Sequence, residues 1–375
     1  MVRVAGHAYA WDVLGDPDFV GRVRDLGIGT VTVAAAYHSC RAATPLHPAH
    51  QTVLADYAAL YRPVRESVWA GRRLVPKSPQ WTDEPDPFGA SAAVLREAGL
   101  RVGAWIVLTH NTRLGTAFPD VAVVNCFGDR YPYALCPSHA EVRSYAATLA
   151  GEALRDVPVD EVSLEACGQL GLTHLCHHEK TDDAWTAEAN RLLSVCCCAA
   201  CRTAWLAAGL DDAALVAALR AAVRAESSTV EGLDAVLAHR HAAADALRAE
   251  VLAAVRSAAP RAFVTLHGHP DPWATGASPG LTPTAARDVD AVLVPCWPTT
   301  PASADLVART AATASTVDVY VTVLPPADVA ALPEHARRLR AAGATRLSLY
   351  HLGLAPQWRQ GQLADLAKAW VQDRA

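Results

Sequence analysis

Eight short apolar runs, most of them rich in β-branched residues, punctuate the chain at residues 2–8, 28–34, 100–108, 161–164, 262–266, 291–294, 317–323 and 345–350. Near-continuous runs of this length suit strands covered on both faces. Between them, residues 17–26, 90–98, 140–155, 301–313 and 333–342 carry apolar side chains at helical spacing. Several of these stretches end in a glycine just before the next strand, as at Gly27, Gly99 and Gly343. Strand and helix in alternation imply a parallel sheet with right-handed crossovers. Eight such units predict an α/β fold, a single (β/α)8 TIM barrel spanning residues 1–375, with an open doubly wound sheet as the alternative.

Two stretches exceed what a minimal barrel needs. Residues 38–89, after strand two, hold Pro, Trp and charged residues; residues 167–260, after strand four, hold a cysteine cluster and two long Ala-rich helices. Both follow strand C-termini, which places them as insertions over the mouth of the barrel.

The strand ends collect unusual side chains. They are His7, Trp11 and Asp12 on strand one, Tyr37 and His38 on strand two, and Trp105, His110 and Asn111 on strand three. Glu165 follows on strand four, His267 and His269 on strand five, Trp297 on strand six, and Tyr350 and His351 on strand eight. A barrel interior needs only apolar residues, so rings and imidazoles gathered at one rim point to a polar ligand pocket. Aromatic faces stack on sugar rings, and His, Asn and Tyr hydrogen-bond hydroxyls. Glu165 stands where a buried strand opens into a loop, a place that tunes a carboxyl pKa. The competing reading of Glu165 is an ion pair with a rim Arg or Lys.

The segment 171–180 concentrates His174, Cys176, His177, His178 and Glu179. His174 and His178, four apart, would share a helical face and suit a metal, but the order lacks the full zincin pattern. A hydrogen-bonding substrate loop is the favoured reading. Cys196, Cys198 and Cys201 form C-x-C-x-x-C, which can wrap one structural zinc, the fourth ligand coming from Cys176, with Cys136, Cys167 or a histidine as alternatives.

Composition narrows the partners. With 51% hydrophobic residues, 19% charged and a mean hydropathy of +0.12, the chain can bury a large core. A net charge of -5 and no long basic run argue against a nucleic-acid binder or an anionic-membrane binder. The polar residues near Met1 do not read as a signal peptide and no apolar run reaches the roughly 18 residues of a membrane span. Together with cysteines crowded as for a metal, this gives a cytoplasmic expectation and a small carbohydrate as partner.

The run Val124-Asn-Cys-Phe-Gly-Asp-Arg-Tyr-Pro-Tyr-Ala-Leu-Cys-Pro-Ser138, then a helix, then Val159-Asp-Glu-Val-Ser-Leu-Glu165 and Cys-x-Cys-x-x-Cys-Arg, resembles glycoside-hydrolase-like TIM-barrel proteins. The cysteine element is similar to the zinc loop of family 42 β-galactosidases. The resemblance covers roughly residues 100–210. It implies that Glu165 matches the strand-four general acid/base of such enzymes. Their retaining members carry a nucleophilic carboxylate at the end of strand seven, and residues 317–326 offer none. Asp12 and Glu179 are the candidates for a second carboxylate. The expected activity is hydrolysis of a small glycoside or oligosaccharide. The alternatives are a sugar isomerase, epimerase or lyase, with His267, His269 and the His174–His178 loop handling protons or a metal, and a non-catalytic carbohydrate-binding barrel.

Overall fold

The structure, a computed structural model, describes residues 4–173, 180–181, 184–227 and 229–372. All eight predicted strands form: β1 (Val4–Ala8), β2 (Thr30–Tyr37), β3 (Arg101–Val107), β4 (Glu161–Glu165), β5 (Phe263–His267), β6 (Ala291–Pro295), β7 (Val317–Thr322) and β8 (Arg346–Tyr350). Each pairs in parallel with its neighbours in chain order, and β8 pairs with β1, so the sheet closes. No helix among the described residues is long and apolar enough to cross a membrane.

Helices follow the strands as α1 (Phe19–Asp25), α2 (Pro87–Glu97), α3 (Ala140–Leu154), α4 (Leu233–Ala258), α5 (Ala285–Asp288), α6 (Pro301–Ala311), α7 (Leu332–Ala341) and α8 (Gln357–Gln372). Local chemistry sets their limits. At α2, Asp86 accepts the Gly89 amide at 3.0 Å ahead of a first-turn proline, and Phe88, Ala92 and Leu95 face the core. The chain then turns out of α2 through Gly99 at φ +75°, a left-handed conformation that favours glycine.

The loops depart from expectation in two places. The longest helix, α4, packs along α3 as a barrel helix, so the extra material after β4 ends near residue 232. It comprises the helices Ala187–Leu193, Ala199–Ala207 and Asp212–Arg224. A further excursion leaves β3, with a helix at Thr112–Ala117 and an antiparallel hairpin, Ala122–Val124 with Arg130–Leu135. After β2 the extra chain forms a hairpin of Cys40–Ala43 with Thr52–Ala55.

The barrel interior is not purely apolar, contrary to the sequence reading. At its floor Arg346 donates to Glu161 Oε2 at 2.6 Å and to Asp318 Oδ2 at 3.2 Å. The Ser348 hydroxyl donates to the same Asp318 oxygen at 3.0 Å, and the guanidinium lies 4.4 Å from the Phe263 ring centre. The guanidinium is shared between two buried carboxylates, of which Glu161 also meets the half-buried Arg101 at 3.6 Å, and such an arrangement is costly to break on one side only. Arg346→Met should therefore destabilise the protein by about 3–5 kcal/mol in urea unfolding at pH 7. A triple change that also replaces Glu161 and Asp318 by leucine should recover most of that loss; a single-variant loss under about 1 kcal/mol would contradict the account.

Candidate active site and metal centre

Glu165 ends β4 and is buried. The chain turns immediately after it: Ala166 takes a left-handed φ of +53°, which costs a non-glycine residue about 1–2 kcal/mol. That turn is pinned by the Ala166 amide on the Ala277 carbonyl and by the Thr109 hydroxyl, which donates to the carbonyls of Ala166 at 2.7 Å and Gly168 at 3.1 Å. The carboxylate accepts the Trp105 indole N–H at 2.8 Å, and His267 Nδ1 stands 3.7 Å from the same oxygen. Burial raises the Glu165 pKa to about 7, against a smaller lowering by the Trp105 hydrogen bond. The rim ion pair weighed for Glu165 is absent among the described residues.

The imidazoles around it are neutral. Burial lowers His267 and His351 to about 3, and pushes His7 well below the usual histidine value. Ser163 Oγ lies 2.8 Å from His267 Nε2. The Gly353 amide donates to His351 Nδ1 at 3.2 Å, which leaves the His351 proton on Nε2.

Rings join these groups into one cluster. His110 stacks on His38 at 4.3 Å between centres, His38 on Tyr37 at 4.2 Å, and Tyr37 meets Trp105 edge-on at 4.5 Å. Trp105 touches His7 at 4.8 Å, while Tyr9 stacks on Trp11 at 4.4 Å. Trp297 stacks on Tyr350 at 4.9 Å. The lower rings are buried and His38, His110, Trp297 and Tyr350 are half-buried, so access to Glu165 runs past this rim.

Three sequence candidates serve local structure. Asn111 caps the helix Thr112–Ala117 through the Leu114 amide at 3.0 Å and donates to the Tyr145 hydroxyl at 3.1 Å. His269 accepts the Asp271 amide at 3.1 Å within the loop after β5. Asp12 sits in a reciprocal cap, its Oδ2 accepting the Tyr9 amide at 2.8 Å, against Gly353, where a Cβ would collide with the carboxylate. Burial raises Asp12 to about 7 as well. His174, Cys176, His177, His178 and Glu179 lie outside the described residues.

One group escaped sequence reasoning. Tyr320 on β7 contacts His7 at 4.6 Å and His267 at 5.6 Å; its signal was the alternation Asp318, Tyr320, Thr322 along one strand. His351, expected at the end of strand eight, stands just past β8, 4.3 Å from Tyr9 and 3.8 Å from Asp12.

A second centre lies in the insertions. Cys196, Cys198 and Cys201 are joined by Cys136, which follows the hairpin after β3, and the four buried sulfurs lie within 4.8 Å of one another. Cys136 is thus the fourth thiol among the described residues, in the place given to Cys176. Its sulfur is 3.7 Å from that of Cys201 and 3.8 Å from that of Cys198. A tetrahedron with metal–sulfur bonds of about 2.3 Å has edges of about 3.8 Å, so four thiols in this arrangement could hold a metal ion. Hydrogen bonds among the thiols draw Cys136 and Cys198 down and push Cys196 and Cys201 up. Polar groups flank the thiols: Ser138 Oγ is 3.1 Å from the Cys201 sulfur and His139 Nε2 is 3.4 Å from that of Cys198.

Comparison with known proteins agrees on architecture. No protein-family model matches the chain, and no curated protein matches it in sequence. Among solved structures it is similar to the glycoside hydrolase domain of PgaB (BpsB) from Bordetella bronchiseptica. That match has a TM-score of 0.60 at 17% identity and covers 98% of this chain and 99% of the other. The catalytic domain of β-amylase from Paenibacillus polymyxa matches with a TM-score of 0.60 at 11% identity over 98% of both chains. A catalytic variant of Gan42B, a GH42 β-galactosidase from G. stearothermophilus, gives 0.56 at 13% identity, covering 98% of this chain and 56% of that one. At these identities the likeness establishes the barrel and leaves the chemistry to be argued from the site.

The metal centre yields a direct expectation. Protein purified without chelator should carry about one equivalent of a thiophilic divalent ion per chain by elemental analysis, and Cys198→Ser should lower both that content and the melting temperature. Less than about half an equivalent, or four thiols that react freely with a maleimide in the native state, would refute the site.

Proposed function

We propose that the protein is a glycoside hydrolase in which Glu165 is the general acid, and that the four cysteines hold a structural zinc bracing the barrel mouth. The observation that carries the first part is a carboxyl group at the C-terminal end of β4, ringed by aromatic side chains and titrating near neutrality. In the protonated form Glu165 passes its proton to the glycosidic oxygen as the bond to the anomeric carbon breaks. Water adds to that carbon and gives up a proton to a base. Asp12 is committed to its cap, and β7 presents Tyr320 where a carboxylate nucleophile would be sought. Glu179 is the carboxylate the sequence offers for the second role. A neutral imidazole with a pKa near 3 is a poor proton shuttle, which weighs against the role the isomerase reading gives His267.

Glu165→Gln keeps the shape and the acceptor for Trp105 but has no proton to give. Turnover of an alkyl glycoside should fall roughly 10²- to 10⁴-fold, with a smaller loss for a nitrophenyl glycoside, whose leaving group needs less protonation. Because the acid form is the active one, kcat/KM of the native protein should decline as pH rises through about 7, and the variant should lack that limb. Near-normal activity of the variant on both substrates rejects the assignment.

A further inference from the structure

Several buried polar atoms in the mouth have no protein partner within hydrogen-bond distance, and proton donation by Glu165 does not use them. Both ring nitrogens of His7, the hydroxyl of Tyr320 and Nε2 of His351 are in this position, as are the indole nitrogens of Trp11 and Trp297. A buried donor or acceptor left unmade costs about 1–3 kcal/mol. Four such atoms stand on β1, on β7 and just past β8, on rings that pack against Trp105 or its neighbours. His7 bridges the set, in contact with Tyr320 at 4.6 Å and with Trp105, whose indole holds Glu165, at 4.8 Å.

The charges of the site restrict what could satisfy them. Burial keeps the Tyr320 phenol and the His7 and His351 imidazoles uncharged at neutral pH. Each therefore offers both a donor and an acceptor or, for His351, one donor at Nε2. Among the described residues, no arginine or lysine is in ion-pair or hydrogen-bond contact with Glu165, His7, Tyr320 or His351. The buried guanidinium of Arg346 is taken up by Glu161 and Asp318 at the opposite end of the barrel. A carboxylate, sulfate or phosphate on a bound ring would enter a buried site beside Glu165 with no arginine or lysine of the described residues in contact to meet it. A hydroxyl group, both donor and acceptor, matches these groups one for one.

We propose that His7, Tyr320 and His351 read the hydroxyls of one uncharged sugar ring, so that the substrates of this site are glycosides whose ring beside Glu165 bears no acidic group. The proposal rests on the reading of the mouth as a glycoside site, and binding separates the two. Tryptophan fluorescence and calorimetric titration of Glu165→Gln, which binds without turnover, would use the methyl glycosides of galactose, glucose, fucose and N-acetylglucosamine, with methyl galacturonide and glucuronide as acidic counterparts. At least one neutral glycoside should bind, and a matching uronide should bind at least 10-fold more weakly. Adding Tyr320→Phe or His351→Gln should weaken the neutral ligand roughly 3- to 10-fold. Tyr320→Phe should not lower the melting temperature, since its hydroxyl has no protein partner to lose. Uronide binding equal to or tighter than that of the neutral parent, no binding of any neutral glycoside, or unchanged affinity in both added variants overturns the proposal. Binding with the expected pattern but no hydrolysis of neutral glycosides by the native protein would reject the hydrolase reading and leave this one standing.

Discussion

The Glu165 carboxyl meets an indole N–H on one side and a neutral imidazole on another, inside a shell of rings that excludes water. Ionising it there means placing a charge in low dielectric with one hydrogen bond and, among the described residues, no arginine or lysine in contact, and this sets its proton affinity. The mouth is arranged around that constraint. Histidines that would supply a compensating charge in water are held neutral by the same burial, and the Trp105 hydrogen bond only partly restores the anion.

The two ends of the barrel solve the problem of buried charge in opposite ways. At the floor, Arg346 neutralises Glu161 and Asp318 in direct contact, an arrangement suited to holding strands β4, β7 and β8 in place. At the mouth, charge is suppressed rather than paired, which leaves a titratable group able to exchange a proton. Between them, the insertions are tied together by sulfur: Cys136 comes from the excursion after β3 and its three partners from the one after β4. Those excursions follow the strands that carry Trp105 and Glu165, so a metal held there would stiffen the rim from which both residues are presented.

Much of the barrel was legible because strands buried on both faces leave an unmistakable apolar signature, and all eight were found to within a few residues. The hairpin after β3 escaped notice since its strands are short and lie outside the barrel, where no repeating partner betrays them. Glu165, Trp105, Tyr37, His7 and Tyr350 could be read from their places at strand ends. Asn111 and His269 were chosen by the same rule, and a place at a strand end does not reveal that a side chain already serves a neighbouring amide. Tyr320 and Arg346 face inward on strands read only as apolar runs, and alternation says which residues share a face and not which face is inside. Cys136 lies sixty residues before Cys196, a separation that only the fold closes.

The most direct measurement is the pKa of Glu165 itself, by difference infrared or carbon NMR titration of isotope-labelled native protein against Glu165→Gln. The account predicts a carboxyl signal that titrates near 7 and vanishes in the variant. A Glu165 carboxyl titrating at or below the ordinary value of 4.5 would mean that the mouth supplies a counter-charge or water the structure does not place there, and would contradict the account.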